Sequence, residues 1–189
     1  MINKQTTNNR NSLTSILSIL SLTILIFLLS FPKLNPVIQT GLDGSVGISI
    51  NYFFAQNIQF GVDVLFTYGP LGFLKMPLAL GNNLTYGIIF LSFIRLLFIF
   101  LLLYFGRLIN KEKWLVHFLV ALGISMLITF DLIIIGIIII SLLINYEKGK
   151  EGFLFYLAIF FTVLSILIKA STGIYALTII ISYLLLSFL

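Results

Sequence analysis

The chain has no cysteine, one histidine, one tryptophan, four prolines and only six acidic residues among 189. Without cysteine there are no disulfides, no thiolate catalysis and no thiolate metal site. With His117 alone, a multi-histidine metal cage is excluded, so any metal would need carboxylates. Charged residues make up 9% of the chain, far below the ~25% usual in soluble domains, whereas hydrophobic residues make up 60% and mean hydropathy is +1.16. That balance describes a polytopic membrane protein, an all-α transmembrane bundle. The net charge of +5 suggests nucleic acid, but the basic residues flank apolar segments and share no polar face. No nucleic-acid partner is expected; the lipid bilayer is.

Residues 1–12 form a polar tail with Lys4 and Arg10. Residues 13–31 are apolar for long enough to cross a bilayer core of ~30 Å. A cleaved signal peptide is the rival reading, but the run exceeds the ~7–15 residues of an h-region and no small-x-small site follows. Residues 32–83 are mixed and hold all four prolines. Within them, 44–58 places Val46, Ile50, Phe53, Phe54 and Ile58 near helical spacing between polar Ser49, Asn51 and Gln56, the pattern of an interfacial amphipathic helix. Residues 84–189 supply the further spans. The first of these is 84–106, closed by Arg107, Lys111 and Lys113. Residues 114–146 would measure ~50 Å as one helix, too long for a single crossing, so a hairpin turning near Asp131 is expected. Spans at 152–168 and 171–189 bring the total to about six, and the layout reads as the opening portion of a longer architecture.

The positive-inside rule puts Lys4, Arg10, Arg107, Lys111, Lys113, Lys148 and Lys150 in the cytoplasm, with the N-terminus, of a multi-pass cell-membrane protein. Lys33, Lys75 and Lys169 then fall outside, as do Asp43, Asp63 and Asp131, and the three aspartates are placed to converge there. If 114–146 were one tilted span, Asp131 would instead lie inside the membrane.

Each candidate residue has two readings. Asp43 precedes the amphipathic helix, where Asp is a preferred cap; as a functional group it would be a catalytic base or the ligand of a divalent metal ion. Asp63 stands before the turn Tyr68-Gly69-Pro70-Leu71, in which Gly and Pro set the backbone. Phe66, Tyr68 and Phe73 around that turn are either interfacial anchors or a shelf admitting a lipid-linked substrate. Arg95 costs ~2.5–3.5 kcal/mol at mid-membrane, so it either snorkels or meets a phosphate or an outer carboxylate. Lys169 has the same pair of readings at a helix end. His117 reads as a packed or interfacial residue, and Asn83-Leu84-Thr85 is a glycosylation acceptor only in a secretory eukaryotic setting.

The order of one span, an outer loop opening with Asp43, an amphipathic helix, Asp63, an aromatic-Gly-Pro-Leu turn, Arg95 and a closing Leu103-Tyr104-Phe105-Gly106-Arg107 resembles the N-terminal part of the polyprenyl-phosphate-sugar-dependent membrane glycosyltransferases of the C-type superfamily (GT-C), including protein mannosyltransferases and lipid A aminoarabinose transferases. The 60–73 run also resembles large uncharacterised bacterial membrane proteins of that layout. The likeness covers residues 13–113. It departs at Gly44, where the family often has Glu, and at Gly69, where the family has a second turn proline. The resemblance implies transfer of a sugar from a polyprenyl-phosphate donor, with Asp43 and Asp63 catalytic, Asp43 also linked to metal, and Tyr68, Pro70, Arg95 and Lys169 binding substrate. The alternative from another class is a non-enzymatic integral membrane protein, a transporter-like chain or an assembly subunit, in which the aspartates cap helices and the aromatics anchor the loop.

Overall fold

A backbone in lipid must pair its own polar groups, so apolar blocks of this length can only be helices. The computed structural model describes residues 2–31, 41–64, 66–110, 112–149 and 152–187, with the side chains of 2–15, 42 and 43 outside that description. Lys33, Lys111 and Lys150 also lie outside it. Among the described residues there are seven α-helices: α1 (Ile2–Leu29), α2 (Leu42–Ala55), α3 (Asn83–Ile109), α4 (Trp114–Leu127), α5 (Phe130–Glu147), α6 (Phe153–Ile168) and α7 (Ala170–Ser187). A 3-10 turn, Gly72–Leu74, lies between α2 and α3. The described residues form no strand, only two isolated bridges.

The all-helical class is as expected, but the number of spans is not. Three helices, α3, α5 and α7, are long and apolar enough to cross a membrane, against about six anticipated. The apolar part of α1 (Ile16–Leu29), α4 and α6 are shorter. The reason is where the chain breaks. The 114–146 block does turn before Asp131, at Ile128 and Thr129, and that leaves α4 with 14 residues, ~21 Å. Lys169 is extended (φ −155°, ψ 118°) and ends α6 after 16 residues, ~24 Å.

Contacts fix the helix directions. Phe90 meets Phe130 at 6.2 Å between ring centroids, and a Cβ on Gly136 would strike the Phe98 ring, so α3 and α5 run parallel. The α4 helix returns antiparallel along α3, with His117 against Gly106 and Ser125 against Arg95. Asn145 near the end of α5 donates to the Tyr183 hydroxyl near the end of α7 at 3.0 Å. Arg107 donates to Ser18, placing the middle of α1 beside the end of α3. The bundle thus has a loop end, carrying 41–82, 128–129 and Lys169, and a basic end, carrying Arg107, Lys113 and Lys148.

Side chains that fill the bundle are Ile94, Ile99, Ile134, Ile137, Ile138 and Phe161, all almost fully buried. Small residues let the backbones close on one another where lipid supplies no hydrophobic drive between helices. Ala158 and Ala176 are buried, and a Cβ on Gly173 would meet Ile166 backbone atoms at under 3 Å.

The α3 helix stands ~10 Å above the start of α5, because its contact with Phe130 falls seven residues after Asn83. The loop layer fills that step. Ile50 of α2 packs on Phe73 and Leu74, and Phe54 stacks on Phe73 at 3.9 Å. Asn51, read from the sequence as a polar position of an interfacial helix, is fully buried. Its side-chain nitrogen donates to the carbonyls of Gly47 and Met76, while its oxygen accepts from the Leu78 amide and from Asn83. One amide therefore joins α2, the approach to α3 and the first residue of α3.

Candidate functional site

The loop end owes its shape to a stretch of extended chain laid against the break between α6 and α7. Tyr68 and Lys169 form an antiparallel bridge. Gly69 and Leu71 donate their amides to the carbonyls of Ile168 and Leu167, and Ala170 donates to Thr67. A helix end normally leaves such carbonyls without partners. Here the loop supplies the donors. Gly69 is required by closeness: a Cβ there would lie 2.2 Å from the Leu167 carbonyl oxygen.

That docking brings three charges together. Lys75 Nζ lies 2.6 Å from Asp131 Oδ2, and Lys169 Nζ lies 3.4 Å from the same oxygen. Both ammoniums sit 5.6 Å from the centroid of the Tyr68 ring, within cation–π range. Asp131 Oδ1 is buried with no hydrogen-bond partner. The cluster is partly open, with side-chain exposures of 14% for Lys75 and 27% for both Lys169 and Asp131. Burial pulls the Lys75 ammonium below its ordinary pKa, with Asp131 acting against it. Burial also pulls on Lys169, but Asp131 and Tyr68 outweigh it and the group ends above its ordinary value. Two cations against one anion leave a net positive charge at the end of the bundle. Such a setting favours an anion and repels a divalent cation. Among the described residues, no three metal-ligating side chains gather.

Of the residues singled out in the sequence, Tyr68 and Lys169 belong to this cluster, and Pro70, exposed, lies two residues from Tyr68. The others go elsewhere. Asp63 is exposed, and its Oδ2 accepts from the Gln59 amide at 2.9 Å, closing a turn with Gly61 at φ 86°. The expected convergence of three outer aspartates is therefore corrected: Asp63 serves its own loop, while Asp131 joins the lysines. Asp43 is the second residue of α2 and does not cap it. Gly41 holds the cap position at φ 111°, a conformation only glycine adopts without strain. The Asp43 side chain lies outside the described residues.

Arg95 is buried in α3 at 8% exposure, and its Nη2 donates to the Ser125 carbonyl at 2.6 Å. Ser125 is in the last turn of α4, where carbonyls have no helical partner and a cation meets the negative end of the dipole. Arg95 thus closes α4. Its Nε and the Ser125 Oγ are buried without partners.

Lys75 and Asp131 were the site residues least visible beforehand. Their signal was topological: with Lys169 they are among the six charges that the positive-inside pattern sorts to the same side. Comparison with family models, with curated proteins and with solved structures finds no match to this chain.

Proposed function

We propose that this chain is an integral membrane bundle whose loop end receives the phosphate of a polyprenyl-phosphate-linked sugar during glycosyl transfer. The observation that carries this reading is the cluster of Lys75, Lys169 and Asp131 beneath Tyr68. Two ammoniums supply the charge a phosphate needs. Phe66, exposed beside Tyr68 at 6.0 Å between centroids, gives the lipid tail an aromatic approach.

In this reading α1, α4 and α6 cross the membrane with α3, α5 and α7, making six crossings. Their short length is met by thinning of the bilayer and, for α6, by the loop layer laid against its end. The basic end faces the cytoplasm and the loop end faces outward. Phosphate binding falls to Lys75 and Lys169, because Arg95 is engaged in α4. In the reaction an acceptor hydroxyl attacks the anomeric carbon, and the carbon–oxygen bond to phosphate breaks. The phosphate leaves with the electron pair, and the hydroxyl proton passes to a carboxylate, the role the family resemblance gives to Asp43.

The test is sugar transfer from radiolabelled polyprenyl-phosphate donors in membranes containing the wild type, Asp43→Asn or Lys169→Met. Transfer lost in both variants with insertion intact is the expected result. Full transfer by Lys169→Met would remove the phosphate role from the cluster.

A second, non-enzymatic reading draws on the same geometry. Asp131 accepts from both lysines, and the loop is pinned by backbone bonds on either side, so the cluster can act as a clasp that holds the loop to α5, α6 and α7. Absence of transfer by folded wild type across a broad donor panel would favour it.

A further inference from the structure

At the basic end, remote from the loop cluster, α1, α3 and α4 line a half-open cavity of about 370 Å³. Its size suits a headgroup and not a whole lipid, being near the lower bound of ligand pockets, ~300 Å³. Its polar lining is Ser18 and Ser21 of α1, Arg107 of α3, and Trp114 and His117 of α4. Ile19, Leu22 and Leu103 supply the apolar wall. Arg107 Nη1 donates to the Ser18 hydroxyl at 3.1 Å, which holds the guanidinium at the cavity edge. Gly106 makes room for His117: a Cβ there would come within 3 Å of the imidazole ring. The absence of one side chain thus seats imidazole beside guanidinium. Trp114 is exposed and starts α4, so an indole of the kind that settles at headgroup depth and the positive end of a helix dipole share this level.

We infer that this cavity binds a phosphate group, with Arg107 and His117 as its donors, and that the phosphate is that of an anionic phospholipid of the surrounding leaflet. Guanidinium recognises phosphate oxygens with charge-assisted bonds, and an imidazole N–H adds a second donor, while the Ser21 hydroxyl is spent on the Ser18 carbonyl at 2.9 Å. The apolar wall then follows the first part of an acyl chain, and the indole marks the depth at which the headgroup lies. This site is independent of the loop cluster and of any transfer reaction there.

The experiment is native mass spectrometry of the full chain after reconstitution in equal parts phosphatidylcholine and phosphatidylglycerol and progressive delipidation. The wild type should retain one phosphatidylglycerol, held about tenfold (~1.4 kcal/mol) more strongly than phosphatidylcholine, because both offer a phosphodiester but choline adds a cation that Arg107 repels. Arg107→Gln should remove that preference. Ser21→Phe fills the cavity from an exposed position of α1 and leaves Arg107 and His117 in place, so it should release the lipid from a protein whose circular dichroism is unchanged. Displacement by inorganic phosphate would assign the site to a free phosphate compound, and resistance to it would assign the site to lipid. Equal retention of both lipids by wild type, or retention of phosphatidylglycerol by Ser21→Phe as by wild type, would overturn the proposal.

Discussion

Arg95 and Ser125 are joined by a 2.6 Å hydrogen bond from guanidinium to carbonyl that closes α4 well inside the apolar zone. Arg95 is twelve residues into α3, ~18 Å from its start, where a helix end would otherwise present bare carbonyls to lipid. The arginine and the short helix therefore explain each other.

Arg95→Ala should lower stability by about 1.5–3 kcal/mol, the range for a hydrogen bond to a charged group, and should loosen α4 selectively. Thermal unfolding in detergent reads the first effect, and hydrogen exchange at residues 124–127 reads the second. Unchanged exchange there would show that α4 closes by other means.

Asp131→Asn should leave two ammoniums without their counter-ion. The loss should be smaller than the ~3–5 kcal/mol of a fully buried pair, because the three side chains are partly open. A double-mutant cycle with Lys75→Met measures the coupling. A cycle that sums to zero would contradict the geometry.

Lys75 and Lys169 should differ in pH response. Burial lowers the Lys75 pKa and the Asp131-led interactions raise that of Lys169, so Lys75 loses its proton first as pH rises. Amine labelling followed across the alkaline range should modify Lys75 at lower pH than Lys169. For stability, a lysine whose folded pKa is lowered adds stability as pH rises from that folded value to the unfolded one. The contribution of Lys169 is instead lost as pH rises through its folded value. In Asp131→Asn both lysines should label at lower pH than in wild type.

Gly69→Ala should undock the loop, because the added carbon meets the Leu167 carbonyl and no flexible side chain is there to yield. Gly123→Ala is the control. Nothing lies within 4 Å of its Cβ, and alanine is the better helix residue by up to ~1 kcal/mol. Proteolysis between 59 and 72 should accelerate in the first variant alone.

Asn51→Leu should be among the most destabilising single changes in the loop layer. It removes a hub of four hydrogen bonds and strands the Leu78 amide and the Met76 carbonyl, while Asn83 keeps only its bond to the residue 51 carbonyl. A melting temperature equal to wild type would show that the loop layer adds little to stability.

Much of the bundle was legible from hydropathy, because a helix in lipid is dictated by the local run of apolar residues. The hairpin before Asp131 was legible too, since ~50 Å of apolar helix has no bilayer to fit. The same arithmetic did not show that α4 and α6 are short, because the end of α4 is closed by Arg95 at Ser125 and the break at Lys169 is held by the loop, both contacts made far away in sequence. The interfacial pattern of 44–58 hid a buried Asn51, because period alone does not say that a polar residue has found four partners. Asp43 had the residue type of a cap but not the place, which went to the one residue able to hold φ 111°. Of the cluster, the common side of Lys75, Asp131 and Lys169 followed from charge sorting. Their contact did not, because it depends on the loop pairing with the α6–α7 break.

That pairing also sets an order of events during synthesis. Gly69 and Leu71 leave the ribosome about a hundred residues before their acceptors at Leu167 and Ile168, a delay of roughly 5–20 s at ordinary elongation rates. Throughout that interval the loop has Asn51 and Asn83 to shape it but no surface to dock on. Nascent chains stalled ahead of Lys169 would accordingly carry an open loop, and its closure would report that α6 and α7 have packed into the bundle.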